Sequence, residues 1–159
     1  MWSPRTVLLA ALALGACGFQ PAYGPGGAGT RLQGQVHVAD PQTADDYAFL
    51  RRLTERMGPE QAARYDLAYA LRIATVGQAI TPDEVTTRYA LNGTAAYALT
   101  DVQTGAVVAQ GEVSNFSSHS TVGTVIATNA AEQDARDRLA VMLADQVVTR
   151  LLATMPPAR

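Results

Sequence analysis

Two hydrophobic periods alternate along the chain, and the places where one gives way to the other divide it into elements. From Arg31 to Val38, Leu32, Val36 and Val38 fall on one side at a spacing of two, which predicts a short strand. Asp40-Pro41 ends it. From Thr43 the period lengthens to that of a helix, with Phe49, Leu50, Leu53 and Met57 on one face and Arg51, Arg52, Glu55 and Arg56 on the other. Thr43 suits the N-cap, and Asp45 and Asp46 fill a first turn where negative charge complements the unpaired N–H groups. Gly58-Pro59 stops the helix near Met57.

The period of two then returns. Tyr65 to Val76 carries Leu67, Tyr69, Leu71 and Ile73 on one face, and Thr87 to Leu99 carries Tyr89, Leu91, Tyr97 and Leu99, with small or polar residues opposite. Thr100-Asp101-Val102-Gln103-Thr104-Gly105 has Asp and Gly where a hairpin turn uses them, so a third strand of a meander follows from Ala106 to about Phe116. One apolar and one polar face mark a sheet with helices on a single side. The hydroxyl-rich stretch Ser114 to Thr124 predicts a loop, and a long helix is expected from about Asn129 to Met155. Glu132–Arg136 and Asp134–Arg138 support its early turns as acid-first pairs four apart. Ala135, Leu139, Met142 and Leu143 make a narrow stripe, whereas Val147, Val148, Leu151, Leu152 and Met155 spread around the helix. Apolar residues on more than one side require more than one packing partner. The second is either a deeper part of the helix's own core or another protein, towards which Val148, Leu152 and Met155 would point.

The N-terminus adds an address. Arg5 gives a positive start, Thr6 to Leu14 are apolar, and Gly15 and Ala16 are small enough for a peptidase ahead of Cys17, the one cysteine of the chain. This reads as a bacterial lipoprotein signal over residues 1–16. Cleavage leaves Cys17 to carry a diacylglycerol on its sulfur and a third acyl chain on its amine. An ordinary secretory signal with a coincidental cysteine is the alternative. The apolar run is too short to span a bilayer. Residues 17–30, dense in glycine, are expected to be a lipidated N-terminus and tether, residues 31–155 one folded domain, and 156–159 a tail.

Composition removes several function classes. The net charge is −2, which argues against nucleic-acid binding through a basic surface. All 12 basic residues are arginine, so any contact to phosphate or carboxylate uses a planar, forked donor. With Cys17 acylated and only His37 and His119 as histidines, no metal site is expected. His119 lies among Ser117, Ser118 and Ser120, yet adjacent residues rarely form a nucleophile–base pair and no Gly-x-Ser-x-Gly turn is present. The reading is a non-enzyme with no cofactor.

Cys17-Gly18-Phe19-Gln20-Pro21-Ala22-Tyr23-Gly24 resembles the mature start of the LptE family, lipopolysaccharide-assembly lipoproteins of Gram-negative outer membranes, in its alphaproteobacterial form. Asp101 to Gly105 with Val107 to Val113 is similar to the family's central hairpin, and Ala131 to Leu139 to its last helix. The resemblance implies an α+β fold: a two-layer sandwich, with two helices on one face of a four-stranded, mostly antiparallel sheet. It also implies a plug seated in the outer-membrane β-barrel LptD, which assists that barrel's assembly and the passage of lipopolysaccharide to the outer leaflet. The protein would be anchored by its lipid at the periplasmic face of the outer membrane. Gly18 after Cys17, in place of the aspartate associated with inner-membrane retention, is compatible with that address. The alternative is a lipoprotein adaptor of another transport or secretion machine.

Counting the turn between the two long strands as symmetric about Thr81 sets Ile73 opposite Tyr89 and Leu71 opposite Leu91. Arg72 and Arg88 then become diagonal neighbours on the polar face, able to share one lipopolysaccharide phosphate. Two solvated arginines, or salt bridges to acids of the barrel, are the plainer reading of the same residues.

Overall fold

Local chemistry sets the helix expected from Thr43. The computed structural model describes residues 21–80 and 86–155; the signal segment, Cys17 and the tail 156–159 lie outside them. The Thr43 hydroxyl accepts from the Asp46 N–H at 3.2 Å while the Asp46 carboxylate accepts from the Thr43 N–H at 2.9 Å, a closed capping box. The helix so started, α2, spans Ala44–Met57 and buries Phe49, Leu53 and Met57. Gly58, at φ +79°, ends it.

Before it, the strand expected from Arg31 is shorter and begins as a helix. A helix of five residues, α1, covers Ala28–Leu32, and β1 covers only Val36–Val38. Between them Gly34, at φ +69°, turns the chain and donates its N–H to the Met57 carbonyl at 2.7 Å. The remaining strands are β2 (Tyr65–Ile80), β3 (Thr86–Asp101) and β4 (Val107–Ser120), followed by the 30-residue helix α3 (Val125–Thr154). Sixteen residues of strand reach about 53 Å, and β2 and β3 pair along nearly all of it.

The strand order is β1-β2-β3-β4. Val36 pairs with Tyr65 in parallel, because α2 carries the chain back to the end where β1 began; the other two pairings are antiparallel. The sheet is therefore mixed, rather than mostly antiparallel. Three helices, not two, occur among the described residues.

Odd-numbered residues of the meander face the helices. Leu67, Leu91, Ala95 and Leu99 meet Leu139, Leu143, Val147 and Leu151 of α3 and Phe49 and Leu53 of α2 in one core. Gly93 sits among them with no side chain, and α3 comes close enough there that a Cβ would lie 2.9 Å from Leu143 Cδ1. The expected turn is present: Asp101 Oδ1 accepts from the Gln103 and Thr104 N–H groups at 2.9 and 3.1 Å, and Gly105 takes φ +69°.

One tie between the helices has no local signal. Asp145 of α3 receives Arg52 on both oxygens at 3.0 and 3.1 Å, and Arg56 at 2.6 Å. Burial alone would raise the Asp145 carboxyl, but these hydrogen bonds outweigh it and hold it below the usual carboxylate range. Arg136 adds a second link, bonding Asp45 of α2 at 3.3 Å and Glu132 at 3.0 Å.

Candidate functional site

Since odd positions of the meander are covered by helices, even positions form an open face. On β2 these are Ala68, Ala70, Arg72, Ala74 and Val76; on β3 they run from Arg88 through Asn92 and Thr94 to Ala98; on β4 they include Glu112, Ser114 and Phe116. Short side chains predominate, so a rigid surface can approach the sheet closely. Phe116, 69% exposed, and Val76 are the large apolar groups on it.

Arg72 and Arg88 both lie on this face, but the structure does not bring them together. Ile73 pairs with Gly93, not Tyr89, and Leu71 with Ala95, not Leu91. Arg72 is opposite Thr94, while Arg88 lies six residues further along β3, opposite Ala79 and Ser120. That is about 20 Å of strand, too far for one phosphate to be shared. The register differs because β2 continues through Gly77 to Ile80, which moves the hairpin's centre past Thr81.

The strand expected to end near Phe116 runs on to Ser120 as β4, into the stretch Ser114 to Thr124 expected as loop. Its alternation puts Ser117 and His119 on the helix side, both buried, while Ser118 and Ser120 face out. His119 stacks on Tyr89, with ring centroids 5.8 Å apart and planes at 18°, and its Nδ1 has no hydrogen-bond partner. Ser120 donates to the Thr87 carbonyl at 3.2 Å instead. His37 is exposed on β1, where a hydrogen bond to Glu60 at 2.8 Å raises its pKa. Among the described residues no group of three or more His, Cys, Asp or Glu is placed to hold a metal.

The face of α3 assigned to a partner is largely occupied. Val148 is 1% and Met155 8% exposed, and Leu152 is half-buried against the same core. The structure thus takes the first of the two options: the helix end sinks into its own core, to which α1 contributes Leu32. α3 also begins at Val125, one turn earlier than Asn129, capped by the Thr124 hydroxyl accepting from the Ala127 N–H at 3.3 Å. Its start exposes Val125 and Ile126 beside Val122, a feature the loop reading missed. No helix among the described residues is long and apolar enough to cross a membrane.

Solved structures share this architecture. A candidate lipoprotein from Caulobacter crescentus aligns with a TM-score of 0.64 at 21% identity, over 79% of this chain and 93% of its own. Rare lipoprotein B from Shewanella oneidensis aligns with a TM-score of 0.59 at 12% identity, over 76% and 93%. Lipoprotein B from Nitrosomonas europaea gives 0.57 at 12%, over 75% and 82%. At these identities the likeness establishes the fold. No curated protein matches the sequence. The family model for LptE, described as lipopolysaccharide-assembly, matches residues 33–151, from the turn before β1 almost to the end of α3. The chain therefore belongs to the LptE family of lipopolysaccharide-assembly lipoproteins.

Proposed function

We propose that this protein is a non-catalytic assembly factor that seats as a plug in the LptD β-barrel and assists the delivery of lipopolysaccharide to the outer leaflet. Its anchor is an acylated Cys17 in the periplasmic leaflet of the outer membrane. The observation that carries this reading is the family match over residues 33–151, which takes in all four strands and the two long helices. The open sheet face agrees with it: alanine, serine and threonine side chains let a barrel wall come close without leaving long side chains to be ordered. The test is purification of the tagged full chain from its own membranes. A large β-barrel should come with it, in a complex that survives detergent and parts on heating. Recovery with an inner-membrane transporter and no barrel would favour the adaptor reading.

Arg72 and Arg88 fit this function as separate contacts to anionic groups of lipopolysaccharide. Each exposed charge contact contributes about 1 kcal/mol, so Arg72→Ala and Arg88→Ala should each weaken lipopolysaccharide binding about fivefold. At their separation the two effects should multiply in the double variant. A double variant no weaker than either single would overturn the assignment of two separate contacts, and unchanged binding would remove it altogether.

A further inference from the structure

Only a few residues of chain lie between Cys17 and the described body, and this short connection bears on which end of the protein meets the membrane. We infer that the end of the body next to the N-terminus rests on the leaflet that takes up the acyl chains, with Tyr23, Val102 and Arg64 as its contacts. The inference rests on acylation of Cys17.

The glycine-rich stretch expected as a tether is folded from Pro21 onward. The Gly24 N–H donates to the Pro21 carbonyl at 3.0 Å, Gly27 to Gly24 at 2.9 Å and Gly29 to Ala22 at 2.8 Å, while the Thr30 hydroxyl donates to the Gly24 carbonyl at 3.1 Å. A Cβ at Gly24 would lie 2.7 Å from Pro21 Cγ, and one at Gly29 would lie 2.6 Å from the Tyr23 ring. These glycines permit close packing, not looseness. Only four steps of chain separate Cys17 from Pro21, at most about 14 Å when fully extended.

Hydrogen bonds then place three separate segments at this same end. The Gln35 carbonyl, just past α1, accepts from the Arg64 and Tyr65 N–H groups at the start of β2, and the Arg64 carbonyl accepts from Val102 in the β3–β4 turn at 2.9 Å. Tyr23 is 56% and Val102 58% exposed. The Arg64 guanidinium, half-exposed, lies over the Tyr65 ring at 5.4 Å, with its Nε on Asp101 at 3.3 Å. An amphipathic ring, an aliphatic side chain and a forked cation suit the headgroup region, where the first two enter and the third meets phosphate. Val125 and Ile126 are exposed at the opposite end as well, so exposure does not choose the membrane end. The short connection does.

Trp2 is the chain's only tryptophan and falls in the signal segment, so the mature protein offers a dark background for fluorescence. Tyr23→Trp, Val102→Trp and, at the far end, Ile126→Trp are each made in the full chain, processed in cells and reconstituted in phosphatidylethanolamine–phosphatidylglycerol vesicles. The lipids carry bromine near the headgroup, and acylation is read by mass spectrometry. Loss of emission at positions 23 and 102, with emission at 126 kept, is the expected result. Equal quenching at all three positions, or none at 23 and 102 in acylated protein, overturns the proposal. Protein processed without acyl chains on Cys17 overturns the anchor reading and this inference with it.

Discussion

Gly93→Val is expected to force the last helix off the sheet and cost about 3 kcal/mol or more, a large share of the stability of a domain this size. Gly93 pairs with Ile73 on one side and Asn115 on the other, and faces α3. The first added carbon would lie 2.9 Å from Leu143 Cδ1, 3.0 Å from Leu139 Cδ2 and 3.1 Å from Leu139 Cγ. Both leucines are fully buried and hemmed in by the core. Alanine needs only that two methyl ends give way, so Gly93→Ala should cost about 1 kcal/mol or less, partly offset by a less flexible unfolded chain. Valine adds two further methyls with nowhere to go. Urea unfolding followed by circular dichroism gives the numbers. If shared space is the cause, Gly93→Val combined with Leu143→Ala should be less destabilised than the two singles added, by about 1–3 kcal/mol. Strict additivity would show that the strain lies elsewhere.

Elements with local boundary chemistry were legible in the sequence. Thr43, Asp46 and Gly58 mark α2 through contacts within a few residues, and Asp101 and Gly105 do the same for the β3–β4 turn. What could not be read depends on distant partners. Leu32 to Val38 alternates like a strand, yet Ala28–Leu32 is a helix packed beside the turns of residues 21–27. Serine-rich composition suggested a loop after Ser114, but pairing with β3 supplies backbone hydrogen bonds whatever the side chain, and the Val113, Ser117, His119 alternation was already present. The link from Asp145 to Arg52 and Arg56 spans 93 and 89 positions and leaves no trace in either helix's own pattern. The open face was visible as the small and polar half of two long strands. Its register was not, since a turn centred two residues late, with a bulge past Gly77, carries Arg88 from a place opposite Ala74 to one opposite Ala79. The N-terminal motif at residues 17–24 that carried the resemblance lies outside the family match, which covers residues 33–151 of the body.

Phe49→Ala should be the costliest truncation, about 3–5 kcal/mol, and it should also change how stability depends on alkaline pH. Phe49 is fully buried on α2, with its ring 5.0 Å from that of Tyr69 on β2. The Tyr69 hydroxyl beneath it is buried without a hydrogen-bond partner. Its phenol is pushed up to about 12, first by burial and then by the charges of Asp46 and Asp40. An unfolded tyrosine titrates near 10. Between those values the native state keeps a proton that the unfolded state has lost, so this contribution is complete below about pH 10 and declines as the pH rises towards 12. Removing the Phe49 ring admits water, lowers the Tyr69 value towards 10 and should flatten that decline. Urea midpoints of the parent and the variant at pH 9 and pH 11 make the comparison. Tyr69→Phe isolates the hydroxyl: it should flatten the same limb while leaving stability at pH 7 unchanged or slightly higher, since an unpaired buried O–H is being deleted. A loss of more than about 1 kcal/mol in Tyr69→Phe would mean that the hydroxyl is bonded in solution, and the account of its raised pKa would fall with it.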